Sequence, residues 1–271
     1  VVSTFTRLLP EHIKVPLRRV RAGWRHWQRC WLEPVFSWQR VREAPDLYAA
    51  YLADWRRYTQ LPGAEELRYF DSYPCVFDRS MTTPFDAHYF YQDVWALNSI
   101  AAARPDLHAD VGSHIFFVGM LTAVTEVLFL DIRPLKAQIQ RMTSLPGSIL
   151  ALPFGDNSVD SLSCLHVAEH IGLGRYGDPL DPQGTRKAAR ELARVLAPQG
   201  NLYFSLPIGR ARVCFNAHRI HTPAQILAYF AELRLVDFAA VDDRGRFHQV
   251  AAPADLTDAS YACGLFHFRK V

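Results

Sequence analysis

At 271 residues, 49% hydrophobic and 21% charged, the chain carries enough apolar material for one large α/β domain or one domain with an appendage. A net charge of +3 is too small to imply nucleic acid, and no apolar run approaches the ~20 residues of a membrane span. Five cysteines, Cys30, Cys75, Cys164, Cys214 and Cys263, form no C-x-x-C pair and are odd in number. They argue against a disulfide framework or a zinc knuckle and suit a reducing cytosol.

Residues 1 to about 65 read as helices and loops, with Pro10, Pro16, Pro34 and Pro45 setting the breaks. No secretory h-region follows Val1, so no signal peptide is expected. Arg18, Arg19, Arg21, Arg25 and Arg29 crowd an early segment with Trp24, Trp27 and Trp31. Such a stripe packs on its own domain or on a second subunit, with the alternative of an anionic membrane surface. A second helical pattern runs from Phe85 to Ala103. After Pro105 short apolar runs alternate with longer segments, as a parallel sheet with covering helices requires. The runs are 108–112, 126–132, 147–150, 159–167, 201–207, 233–241 and 262–270. TRKAARELARVL is an amphipathic helix stopped by Pro198-Gln199-Gly200. The expectation is a helical region over 1–84 and an α/β domain over 85–271. Its Rossmann-like sheet would have seven strands, mostly parallel, with an antiparallel edge strand.

HVAEHIGLGRYGD (166–178) fits two patterns at once. H-x-x-E-H is an inverted zinc-peptidase pattern that needs both histidines one turn apart on a helix, but His166 follows directly on a strand, which does not assure that helix. GLGRYG fits the dinucleotide fingerprint, yet it lies beyond its strand and leads into loop. An active-site or capping loop whose glycines permit positive φ is the reading preferred here, with no metal expected.

LPFGDNSVDSLSCLHVAEHI and ELARVLAPQGNLYFSLP, in that order, resemble the middle of class I S-adenosylmethionine-dependent methyltransferases. The resemblance covers about 107–270. DVGSH, LDIRPL, EHIGLGRYGDPLDPQG and FNAHRIH look more narrowly like a little-characterised bacterial family of methyltransferase-like proteins. Many of these are found with surface-polysaccharide genes, and HYFYQDVW belongs to the same resemblance.

The resemblance implies S-adenosylmethionine as cofactor, held by Asp110, Gly112, Ser113 and His114 after the first strand. Asp131 and Arg133 after the second, Ile149 or Leu150 at the adenine, and His166 complete the set. An acidic residue such as Asp131, 21 residues after Asp110, suits ribose hydroxyls; otherwise it is a turn aspartate before Pro134. His170 is the expected base, with Glu169 orienting it and His218 and His221 as further candidates. Any single histidine could instead serve as a cap or loop hydrogen bond. Arg175, Tyr176, Asp178, Asn216 and Arg219 are the expected contacts to a polar acceptor, unless the arginines merely pair with Asp178 or Asp181. Two features depart from the family pattern. The glycine loop keeps only Gly112 and distant Gly119, and the aspartate before "LPF" is missing around Ser148 and Ile149.

The leading expectation is therefore a cytoplasmic methyltransferase acting on a hydroxyl of a glycan or glycan precursor in surface-polysaccharide biosynthesis. It would bind no nucleic acid, and peripheral membrane contact or self-association would run through the N-terminal helix. A binding or scaffold module that has lost productive cofactor binding comes second. A metal hydrolase using HVAEH comes third.

Overall fold

The computed structural model describes residues 23–25, 27, 28 and 36–271. The chain divides after Pro84 into two compact units. In the first, α1 (Trp38–Tyr58) starts at Ser37, whose hydroxyl accepts from Arg40 N at 3.3 Å. Pro45, expected to break the chain, lies inside this helix. It forgoes only its own bond to the carbonyl four residues earlier, and no side chain of α1 is buried. Trp24 and Trp27 are exposed and stack at 5.1 Å. The other members of that stripe apart from Arg25, namely Arg18, Arg19, Arg21, Arg29 and Trp31, lie outside the described residues, as do Pro10, Pro16 and Pro34.

The second unit begins with α2 (Ala87–Ala103), β1 (Leu107–Val111), α3 (Ile115–Leu121), β2 (Glu126–Asp131), β3 (Met142–Pro146) and β4 (Val159–Leu165). It continues with α4 (Gly184–Val195), β5 (Leu196–Ile208), β6 (Arg212–Cys214), β7 (His218–Ile220) and α5 (Pro223–Tyr229). β8 (Leu233–Val241), β9 (Phe247–His248) and β10 (Ala262–Lys270) complete it. The main sheet is the expected Rossmann-like one, with eight strands rather than seven, in the order β3-β2-β1-β4-β5-β10-β8-β9. β1 to β5 pair in parallel, and β1 and β2 are neighbours, with Asp110 opposite Phe129.

Three expectations are corrected. Residues 147–150 form a turn, bridged from Ser148 to Ala151, because the third strand has already been made by Met142–Pro146. β10 is antiparallel but internal, between β5 and β8, and the edge is the two-residue β9. α4 ends at Val195, before Pro198, where Leu196 turns extended into β5.

Side chains alternate across the parallel strands, as a sheet covered on both faces requires. Val127 and Phe129 pack with Trp95, Ile100, Phe117 and Leu121 of α2 and α3. Leu130, Leu162, Phe204 and Leu202 pack on the other face with Ala188, Leu192 and Val195 of α4. Strand order reverses between β1 and β4, so a crevice opens at the carboxyl ends of these strands.

Candidate active site at the strand switch point

Two concavities meet at that crevice. The smaller, a groove of ≈ 80 Å³, is lined by Gly112, Asp131, Arg133, Ile149, Val167 and Tyr176, among others. The larger, a cleft of ≈ 690 Å³, is walled by His88, Tyr89, Glu169, Arg175, His218 and Tyr261 together with several loop residues. His166 and His170 line both, so they form the partition between groove and cleft.

The groove is built by backbone. Gly112 has φ +70°, which a side chain would strain, and its N–H donates to Leu130 O at 2.8 Å, tying the end of β1 to β2. A Cβ there would sit 3.2 Å from Val167 and 3.7 Å from Asp131 Oδ2, filling the groove. Asp131 Oδ1 accepts from Arg133 N at 2.6 Å, which leaves Oδ2 toward the groove. These groups fit an adenosine-bearing cofactor in kind: a free carboxylate oxygen for ribose hydroxyls, a bare backbone for close approach, and apolar Ile149 for a base. The Arg133 guanidinium lies 4.3 Å above the Tyr176 ring, which also borders the groove.

The cleft is built by side chains. Asp86 caps α2 by accepting from His88 N and Tyr89 N, presenting both residues at the rim. His166, at φ +55°, turns the chain out of β4. Its Nδ1 lies 2.7 Å from Gln92 Oε1, which also accepts from Ser205 Oγ, so Nδ1 carries the proton. Nε2 is buried and without a partner. His170 Nδ1 donates to Ala217 O at 2.6 Å, leaving the Nε2 lone pair 3.6 Å from Glu169 Oε1. The Ala217 carbonyl therefore orients this imidazole at Nδ1, and Glu169 faces the nitrogen that would do chemistry. Arg175 donates to the same carbonyl at 3.0 Å. Glu169 is fully buried with both oxygens unpartnered, and burial pushes its carboxyl up to about 8. Burial likewise pulls His170 down to about 4 and His166 well below its ordinary range.

His166 and His170 do not share a helix: Ala168–His170 is a single 3-10 turn after the strand. The inverted-peptidase geometry is thus absent.

Several expected site residues are occupied elsewhere. Asp110 is buried, with Oδ1 accepting from Ser113 N and Oδ2 from Ser163 Oγ. Ser113 Oγ accepts from Leu165 N at 3.0 Å, and His114 lies 3.5 Å from Asp93. Leu150 is half exposed outside the groove, and Asn216 is exposed outside the cleft. His221 is buried against Tyr229 rather than in the cleft. Asp178 accepts from Gly172 N and Tyr176 N, and Arg219 donates to Ile171 O and Asp181 O. Both thereby hold the 172–181 loop, whose Gly172 (φ +81°) would place a Cβ 2.2 Å from Asp181 O. His88, Tyr89, Gln92, Tyr261 and Cys263 went unsuspected in the sequence. The one signal was His88 and Gln92, a helical turn apart in a mostly apolar helix.

A profile of the family described as "Caenorhabditis protein of unknown function, DUF268" matches residues 124–250. No curated protein matches the chain. Among solved structures, the N-methyltransferase NodS from Bradyrhizobium japonicum WM9 is 15% identical, with a TM-score of 0.49 over 68% of this chain and 97% of that one. A putative sarcosine dimethylglycine methyltransferase from Galdieria sulphuraria is 16% identical, with a TM-score of 0.47 over 67% of this chain and 86% of its own. The [4+2]-cyclase SpnF is 16% identical, with a TM-score of 0.46 over 66% of this chain and 80% of its own.

Proposed function

We propose that this protein is an S-adenosylmethionine-dependent methyltransferase that methylates a hydroxyl of a glycan or glycan precursor. The observation that carries the reading is the partition: a nucleoside-type groove at the strand switch point opens, past His166 and His170, onto a large polar cleft. The cofactor, when bound, supplies an electrophilic methyl group. Asp131 takes the ribose hydroxyls, Gly112 lets the backbone approach, and Ile149 covers the base. In the cleft, the His170 Nε2 lone pair accepts the hydroxyl proton, and its low pKa keeps that lone pair free at neutral pH. Tyr89 and Tyr261 offer faces and hydroxyls to a sugar ring, while Arg175 and Tyr176 border its approach.

Binding calorimetry with S-adenosylmethionine and S-adenosylhomocysteine tests this. Wild type is expected to bind, and Asp131→Ala to lose about tenfold to a hundredfold in affinity, the ~1.5–3 kcal/mol of a charge-assisted hydrogen bond. The scaffold reading draws on one observation, a groove of only ≈ 80 Å³. It gains if folded wild type shows no heat with millimolar cofactor.

A further inference from the structure

Three side chains from three separate elements converge in or beside the cleft: His88 from the first turn of α2, His166 from the end of β4, and Cys263 from the start of β10. One ligand atom of each lies within 4.8 Å of the other two. The methyl-transfer reading uses neither His88 nor Cys263. His166 is held as metal-binding imidazoles are held. One nitrogen donates to an oxygen, Gln92 Oε1 at 2.7 Å, which fixes ring and tautomer. The other nitrogen, Nε2, is buried with its lone pair unsatisfied. A second unsatisfied group lines the same cleft: Glu169, fully buried, has no partner for either carboxylate oxygen. A buried acceptor lone pair and a buried, unpaired carboxyl lining one cleft are the kind of groups a cation completes.

We propose that His88, His166 and Cys263 form a zinc site, with Glu169 as its counter-charge. The donor set selects the ion. Two imidazoles and a thiolate suit zinc, whereas magnesium and calcium call for oxygen ligands. Zinc binds nitrogen at about 2.0–2.1 Å and sulfur at about 2.3 Å, so tetrahedral donors lie roughly 3.3–3.7 Å apart. One ligand atom of each of the three already lies within 4.8 Å of the others, and His88 is only partly buried, so side-chain adjustment brings the set to that spacing. Three protein ligands leave a fourth position open to the cleft, as in catalytic rather than structural zinc centres. The ion would take the thiol proton's place on Cys263, the proton leaving to solvent. The sequence led to an expectation of no metal because the ligands come from distant segments with no spacing pattern. The site stands independently of methyl transfer.

The test uses the full chain, stripped with a chelator and titrated with Co²⁺ while absorption is followed. One cobalt per chain is expected, with the visible bands of a tetrahedral ion and a near-ultraviolet thiolate-to-cobalt band, all displaced by zinc. Cys263→Ala should lose the near-ultraviolet band and keep weaker visible ones. His88→Ala should weaken binding more than Gln92→Ala, for which the ~10–100-fold cost of a lost outer partner is expected. His88 is only partly buried, so its variant decides the matter even if a His166 variant does not fold. A folded wild type that stays colourless in millimolar cobalt overturns the site. So does a Cys263→Ala or His88→Ala variant that titrates like wild type.

Discussion

His170 has one firm tether, the bond to Ala217 O, and one free nitrogen. If that nitrogen takes the acceptor proton, His170→Gln should keep cofactor affinity and lower turnover by roughly 10²–10⁴-fold, the usual worth of general-base catalysis. Single-turnover rates, cofactor affinity and melting temperature from one preparation check this. Near-normal turnover would pass the role to His218, which lines the same cleft; His221 is walled off from it. Gly112 works through conformation instead. An alanine at its positive φ costs about 1–2 kcal/mol, and the added Cβ would crowd Val167 at 3.2 Å. Gly112→Ala should therefore lower the melting temperature and cofactor affinity together, unlike His170→Gln. A variant that melts normally and binds normally would remove Gly112 from the groove.

Between β1 and β4 a buried polar chain replaces the usual apolar packing. Both ring nitrogens of His108 bond serine hydroxyls, Ser161 at 2.7 Å and Ser163 at 2.8 Å, and Ser163 continues to Asp110. Burial lowers His108 to about 3 and raises Asp110 to about 6. The signs oppose. The Asp110 contribution is complete below the ordinary range of an aspartate and is lost as pH rises through about 6. That of neutral His108 is present above its ordinary range and is lost as pH falls toward about 3. Asp110→Asn keeps the acceptor for Ser113 N and removes the charge. It should gain on wild type by about 1–3 kcal/mol as pH rises from about 4 to about 7. Denaturant unfolding at several pH values measures the gap, and a constant gap would refute the assignment.

At this scale the sequence was partly readable. Alternating runs located β1, β2, β4, β5, β8 and β10, and the loop glycines marked the partition, because each is a local pattern. The expected third strand slipped onto Gly147–Leu150 because composition alone does not separate a strand from the turn after it. The short β6, β7 and β9 and the seven-residue α3 gave too few residues for any period. Half of the cleft comes from α2 and from the stretch before β10, segments that only the folded sheet brings together.

Across the molecule, both apolar clusters belong to residues 85–271, and no described residue from 36 to 84 is buried. A fragment spanning 85–271 should therefore fold alone, with near-ultraviolet circular dichroism and a single cooperative melting transition. A broad, non-cooperative melt would show that its core needs the preceding segment. Among the described residues no helix is long and apolar enough to cross a membrane.

The stacked Arg133 and Tyr176 bear on kinetics. A groove of ≈ 80 Å³ falls well short of the about 300–1,000 Å³ of small-molecule sites, so under the proposed function the Arg133–Tyr176 stack that borders it would have to part for a nucleoside to enter. Loading then becomes a gated event. Observed association rates should level off as ligand concentration rises, at a plateau set by how often the gate opens. Tyr176→Ala should raise or abolish that plateau in stopped-flow traces. The same gate would slow escape, giving a bound nucleoside a long residence even at modest affinity.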